Sequence, residues 1–330
     1  MIAAPILVLI VNHRTPALAV QAAEAVVPEL LARGDGHVLI VDNGSADGSA
    51  EEIGGAIAAR GLGDCVSLLA LADNGGFAAG NNAGLAEYRR EAGRWPDFAW
   101  LLNPDTVARP GALGALLDAL GRQPEAGIAG GRCLRPDGTL RPSAFRFPSP
   151  LGEFTAALDI GALRRRFARH DILAPVGDAP RRVDWVSGAH LLIRGALFDR
   201  IGLLDEGYFL YFEETDYCAR AAKAGFEIWH VPGSEVVHIG GASTGLAEAG
   251  SSSPGSPYWF ASRARFLLRH RGLAATHLAN LLWLLATPPG RAWTWLRGRP
   301  RRDPPRLWRD FLMTYYGPGG LMYRARQIAR

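Results

Sequence analysis

The stretch PILVLIVNHRTP, residues 5–16, decides how this chain is read. Its first seven residues are apolar, rich in Leu and β-branched types and free of alternation, which suits a strand covered on both faces. Asn12, His13 and Arg14 end the run, and Pro16 suits the first turn of a helix reaching about residue 33. The pattern recurs with strands at 37–41, 66–71 and 98–102 and helices at 47–60, 77–91 and 110–120. Strands alternating with helices predict an α/β fold with a mostly parallel sheet and helices on both faces. Ligands of such sheets bind beyond the carboxyl ends of the strands. The polar residues gather there: Asn12 and Arg14 after the first strand, Asp42, Asn43 and Ser45 after the second, Asn74 after the third, Asn103 and Asp105 after the fourth. Any one of these reads as a turn. Four in succession point to a nucleotide, with Asp42 accepting from a base N–H and amides near Gly76 and Gly80 meeting an anion.

Composition narrows the classes. The 330 residues are 48% hydrophobic and 21% charged, as in a folded globular protein, so a large core is expected. Lys223 is the only lysine, which leaves no phosphate-binding P-loop lysine and little room for Schiff-base chemistry. Cys65, Cys133 and Cys218 are far apart and in no CxxC arrangement, so neither a disulfide framework nor a thiolate zinc site is indicated and a reducing compartment fits. The apolar N-terminus lacks a preceding basic region and reads as a buried strand rather than a signal peptide. The net charge of +4 is uneven, with arginines crowding the last forty residues.

Chemistry concentrates in DEGYFLYFEETDYCAR, residues 205–220. Glu213, Glu214 and Asp216 fall within four residues at a helix entrance, where acids complement the unpaired N–H groups and the dipole. The aromatic collar before them would desolvate a carboxylate and raise its pKa, which suits general base work. The glycines of DNGGFAAGNNAG, at 75, 76, 80 and 84, do not form GxGxxG, and their i, i+4 spacing also suits close packing of a helix on the sheet. Asp105, in LLNPDT, is placed to bind a divalent cation that bridges phosphates. Residues 134–182 read as a long Pro-, Arg- and Gly-rich excursion, partly helical from 152 to 169, bordering an acceptor site. Residues 183–193 read as a strand interrupted at Ser187 and Gly188, residues 226–231 as another. His238, beside Gly240 and Gly241, is placed to close on a metal.

The series VNHRT, VDNGSADGS, NGGFAAGNNAG, LLNPDT, DWVSGAHLLI, DEGYFLYFEETDYCAR and VVHIGGAST, in this order over residues 5–245, resembles the family 2 inverting glycosyltransferases, and especially their rhamnosyltransferase-like branch. The resemblance implies a GT-A fold: a nucleotide-sugar-binding half (1–131) merged with an acceptor-binding, catalytic half (132–245), followed by a helical C-terminal region (246–330). It implies a nucleotide-sugar site of Asn12, Arg14, Asp42, Asn43, Ser45, Asn74, Gly76, Asn81, Asn103 and Asp105. Asn103-Pro104-Asp105 stands at the family's DxD motif, so Asp105, with His238, would hold Mg²⁺ or Mn²⁺. Asn103 removes one charge from that motif. Glu213-Glu214 stands at the ED motif, which makes Glu214 the favoured base ahead of Glu213 and Asp216. Trp185, Ser187 and Gly188 are assigned to the acceptor, Trp185 as an apolar platform for a sugar ring. The implied substrates are a dTDP- or UDP-sugar, rhamnose being the first guess, and a glycan or lipid-linked acceptor in cell-surface polysaccharide synthesis. A non-catalytic nucleotide-sugar-binding protein on this fold is the alternative, and the trio Asp105, Glu214 and His238 favours the enzyme.

Toward the C-terminus, residues 258–271 suit an amphipathic helix, and LANLLWLLAT is apolar but shorter than the roughly 20 residues a bilayer span needs. RAWTWLRGRPRR mixes Trp and Arg as segments at membrane surfaces do. A membrane contact on the inner face of the cell membrane, a cap on the core and a homo-oligomer contact all fit this region of a cytoplasmic protein. No motif supports nucleic-acid binding by the arginines.

Overall fold

The first strand, β1 (Ile6–Asn12), is buried at every residue and runs parallel to a partner on each side. In this computed structural model, which describes residues 4–240, 257–298, 304 and 306–328, the chain follows the expected alternation at first. After β1 come α1 (Pro16–Arg33), β2 (Gly36–Asn43), α2 (Ser49–Ala59), β3 (Val66–Leu71), α3 (Gly76–Ala92) and β4 (Phe98–Leu102). Next are β5 (Thr106–Ala108), α4 (Ala112–Arg122), β6 (Ala126–Leu134), β7 (Leu140–Arg141) and β8 (Ala144–Phe145). The excursion holds α5 (Pro150–Leu158) and α6 (Gly161–Arg166). Then follow β9 (Arg181–Val183), β10 (Trp185–Val186), β11 (His190–Arg194), α7 (Ala196–Ile201), α8 (Glu213–Lys223), β12 (Glu227–His238), α9 (Pro257–Leu296) and α10 (Leu307–Tyr316).

The main sheet has the order β3-β2-β1-β4-β11-β6-β12-β5. Its first four strands are mutually parallel, β11 is antiparallel between β4 and β6, and β6 and β12 are parallel. Burial on both faces explains the unbroken ILVLIV run of β1. Ile6, Val8 and Ile10 join the core cluster that includes α1, while Leu9 and Val11 meet α3 from the other side. That contact needs glycine: a Cβ at Gly80 would stand 2.7 Å from Val11 Cγ1, and one at Gly84 2.5 Å from Leu9 Cδ2. The i, i+4 glycines are thus the close-packing device that their spacing allows.

Chain contacts divide the protein into two units. One comprises Met1–Ala144, Pro175–Phe209 and Glu213–Ser251, the other Phe145–Ala174, Leu210–Phe212 and Ser252–Arg330. In the second unit, α9 is interrupted at Gly272, whose φ of 81° and ψ of 173° are not helical. Phe260, Leu307, Phe311, Tyr315 and Leu321 form its core, with Trp283 stacked on Phe311 at 4.1 Å. Helix α5 starts on Pro150 with Ser149 Oγ accepting from Gly152 N at 3.1 Å, and it lies against Gly290 of α9. Gly241, Arg299, Arg301 and Arg302, which figure in the sequence reading, and the 245/246 boundary lie outside the described residues.

One strand was not expected from the sequence. The sequence AGIAGGRCL forms β6, a buried strand in the middle of the sheet. Its glycines are there for space, since a Cβ at Gly131 would stand 2.1 Å from Ser234 O. The run at 183–193 is interrupted at Ser187 and Gly188, as its sequence suggests, and the interruption separates β10 from β11.

Candidate active site

Beyond the carboxyl ends of β1 and β2, Asn12 and Asp42 are register partners, and their side chains bond at 2.7 Å. Asp42 Oδ1 also accepts from Ser45 Oγ at 2.5 Å and Oδ2 from Ser45 N at 3.3 Å. Arg14 joins them, its N–H on Ser45 Oγ at 3.0 Å and its Nε on Ser45 O at 3.2 Å. The cluster is therefore one rigid polar knot. Asp42 is only 3% exposed, so any ligand meets a carboxylate whose bonds are largely made. Next to it, Asn43 Nδ2 donates to Asn74 Oδ1 and Gly76 O, and Asn81 Nδ2 donates to Phe77 O. The buried amide oxygens of Asn43 and Asn81 are left without a protein donor. Buried acceptors of this kind suit a ligand that brings its own N–H or O–H groups.

The anion expected at the Gly76 and Gly80 amides does not fit the geometry. Gly76 N–H is taken by Asn74 Oδ1 at 2.9 Å, and Gly80 lies a full turn inside α3, against Val11. Gly76 has φ 88°, and a Cβ there would stand 2.2 Å from Phe209 O. Its role is to let the segment before the acidic cluster dock, with Phe77 N–H donating to Phe209 O at 3.0 Å. Asn82, absent from the sequence reading, extends this docking by bonding Leu204 O, Leu204 N and Glu206.

The acidic cluster opens α8. Tyr211 and Phe212 precede it with φ of 70° and 69°, a sparsely populated conformation for bulky residues that costs on the order of 1–3 kcal/mol each. Glu213 is 5% exposed and Glu214 half-buried. Burial pushes the Glu213 carboxyl well above the usual carboxylate range, with the neighbouring Glu214 adding to it. Burial raises Glu214 too, offset in part by backbone N–H groups of Glu214, Thr215 and Gly188. One oxygen of each, Oε2, is buried without a donor. A Cβ at Gly188 would stand 3.4 Å from the Glu214 side chain, in ordinary contact, so the break between β10 and β11 lies directly beside this carboxylate. Ser187 holds that break through its N–H on Ser143 O at 3.0 Å, and half-buried Trp185 sits in β10, which packs on α8.

Asp216 is built differently. It is fully buried, accepts from Arg220 Nε at 2.7 Å and from Tyr208 OH at 3.4 Å, and Arg220 also caps Ile201 O and Leu203 O. This pair locks the helix entrance, so its carboxylate is not available as a base. Asp216→Ala is expected to destabilise the fold by about 3 kcal/mol while the folded fraction keeps kcat within about tenfold. Urea unfolding and turnover measured on the same preparation check this, and a large kcat loss at unchanged stability would return Asp216 to the chemistry.

At the end of β4, Asn103 N–H donates to Ala189 O at 3.1 Å, which places the Asn103–Asp105 turn beside Gly188. Strand β12 pairs His238 with Thr106, and His238 Nε2 lies 3.2 Å from Asp105 Oδ1. Two ligands of one Mg²⁺-like ion at about 2.1 Å sit roughly 3 Å apart when adjacent, so this carboxylate and imidazole fit a shared divalent cation. Among the described residues no group of three or more His, Cys, Asp or Glu could hold an ion. Arg141, which the sequence reading passed over, faces His238 Nδ1 at 3.3 Å. Below the turn, Trp100 Nε1 donates to His190 Nδ1 at 3.0 Å and His190 Nε2 meets Ser234 Oγ at 2.9 Å. Burial lowers His190 to about 3, which keeps this support neutral.

The sequence profile described as Glycosyltransferase like family 2 matches residues 4–251. The chain belongs to this family of glycosyltransferases. It is 38% identical over 217 residues to N-acetylglucosaminyl-diphospho-decaprenol L-rhamnosyltransferase of Mycobacterium tuberculosis, covering 63% of this chain and 68% of that protein. Rhamnosyltransferase WbbL of Escherichia coli K12 is 30% identical over 96 residues, 29% of this chain and 34% of its own. Among solved structures, mannosyltransferase PcManGT from Pyrobaculum calidifontis, in complex with GDP-Man and Mn²⁺, matches with a TM-score of 0.56 at 15% identity, over 89% of this chain and 75% of that one. That likeness concerns the fold, and the fold is GT-A. The family and architecture expected from the ordered motifs are borne out.

Proposed function

We propose that this glycosyltransferase moves a rhamnosyl group from a dTDP- or UDP-linked donor to a sugar hydroxyl of a lipid-linked acceptor, in the synthesis of a cell-surface polysaccharide. The acceptor class rests on the named activity of the 38% identical relative. The observation that carries the reaction type is Glu214, a half-buried carboxyl raised by desolvation, with one oxygen lacking a donor, set against a glycine. Such a group can take the proton of an acceptor hydroxyl. The hydroxyl oxygen then bonds to the anomeric carbon as the bond to the donor phosphate breaks, and the electron pair leaves on the nucleoside diphosphate. Attack opposite the leaving group inverts the configuration. Asn43 and Asn81 would accept from the nucleotide through their unpartnered oxygens, and Asn12, Asp42, Ser45 and Arg14 hold the wall on which it rests. Asp105 and His238 would hold Mg²⁺ or Mn²⁺, whose charge when bound offsets that gained by the leaving diphosphate. A lipid-linked acceptor puts the protein to work at the inner face of the cell membrane.

Thermal melting with dTDP-rhamnose and a panel of UDP- and GDP-sugars, with and without Mn²⁺, tests this reading. One donor is expected to raise the transition, adding about 2.7 kcal/mol at a hundredfold excess over its Kd. The Mn²⁺-dependent part should vanish in Asp105→Ala. Indifference to every donor would sink the transferase reading.

A further inference from the structure

Residues 273–296 of α9 present two apolar faces. Ala279, Asn280, Ala286 and Gly290 are buried toward the rest of the second unit, where Gly290 meets Ala157 and Asn280 bonds Arg263. The opposite stripe carries Leu278, Leu281, Leu285, Trp295 and Leu296, whose exposure lies between 49% and 78%. Steps of three and four residues from Leu278 to Leu285, then of ten to Trp295 and one to Leu296, keep these side chains on one side of the helix over about 27 Å. A face of this length and composition in water needs a cover.

Charge says which cover. Residues 257–298 and 306–328 contain ten arginines and a single acid, Asp310. Arg269 and Arg271 are exposed just before the stripe, and exposed Arg297, with its guanidinium 4.5 Å from the Trp293 ring, follows it. A second copy laid face to face would bring arginines toward arginines, so self-association is opposed by like charge. An anionic lipid surface satisfies both features, because the leucines and Trp295 enter the acyl boundary while the arginines meet phosphate headgroups. No helix among the described residues is long and apolar enough to cross a membrane, and the amphipathic stripe of α9 suits lying on one. We infer that the Leu278–Leu281–Leu285–Trp295 face of α9 is a docking surface for an anionic lipid bilayer.

This docking rests on the reading of a lipid-linked acceptor for its purpose but not for its physics, and the two are tested apart. The full chain is sedimented with vesicles of phosphatidylcholine alone and of phosphatidylcholine mixed with phosphatidylglycerol. Binding to the mixed vesicles is expected to exceed that to the neutral ones and to weaken as salt is raised. The double substitution Leu281→Glu/Leu285→Glu should reduce partitioning on the order of tenfold or more, while leaving the melting temperature and the donor-induced shift unchanged. Trp295→Ser, at a side chain 78% exposed, is the second variant and should cost several-fold. Equal binding by wild type and both variants, or no binding to anionic vesicles, overturns the proposal. So does a solution dimer that the double variant dissolves, because the face would then belong to a second copy. Loss of the donor-induced shift with membrane binding intact would strike the transferase reading and leave the docking standing.

Discussion

Replacing Glu214 with glutamine is expected to lower kcat by about 10²–10⁴ and, at neutral pH, to raise stability. The rate loss follows from removing the only carboxylate of the acidic cluster that is both half-buried and set beside Gly188. The stability gain follows from linkage. Glu214 and Glu213 both have native pKa values above the ordinary carboxylate range because burial penalises their charge. Between the unfolded and folded values the native state holds more protons than the unfolded one. The native state is therefore favoured most below the unfolded pKa, and stability falls as the pH rises from there through the raised folded value. Glutamine removes that penalty. Glu213→Gln should share the gain while sparing most of the rate, since Glu213 is almost fully buried. Melting curves against pH separate the two effects, and the acid limb of kcat/KM should lie above the usual carboxylate range in the wild type. A kcat within tenfold of wild type for Glu214→Gln would move the base elsewhere.

The parallel half of the sheet was legible because its strands are covered on both faces and read as unbroken apolar runs, from ILVLIV of β1 to FAWLL of β4. Strand β6 was not, because Gly130 and Gly131 trade strand propensity for the close approach of Val186, His190 and Ser234. Among site residues, Asn12, Asp42, Asn103, Asp105 and Glu214 could be named from their positions at strand ends or a helix entrance. Their partners could not. Arg141 lies in a Pro- and Arg-rich stretch with no periodicity and reaches His238 only through the pairing of β6 with β7 and β12. Asn82 sits among helix residues and bonds a loop 122 residues later. Local pattern carries no trace of either contact. The expectation of an anion at Gly76 failed for a related reason, since a glycine reserved for an approaching backbone and one reserved for a phosphate look alike until Phe209 O is found against it.

The second large effect belongs to Arg263, a fully buried arginine of α9. Its Nε and Nη2 meet the Glu153 carboxylate of α5, and its Nη1 donates to Asn280 Oδ1 at 2.7 Å and to Tyr315 OH at 2.9 Å. Burial works against the charge, yet the attraction of Glu153 outweighs it and holds Arg263 above its usual pKa, while burial pushes the Tyr315 phenol up to about 12. The network joins α5, both segments of α9 and α10 at one point, where Phe311 and Tyr315 also flank the guanidinium. Arg263→Met leaves Glu153 buried without its counter-charge and should lower the opening free energy of this unit by about 3–5 kcal/mol. Arg263→Met/Glu153→Leu removes both charges and should recover most of it, because the cost lies in the orphaned carboxylate more than in the lost attraction. Amide exchange in α5, α9 and α10 reads this unit directly, without assuming that the chain unfolds in one step. If the single variant exchanges like wild type, water reaches Glu153 and the pair does not hold the unit. If the double variant stays as weak as the single one, the three-way hydrogen bonding of the guanidinium holds α9, and with it the exposed leucine face, rather than the balance of charge.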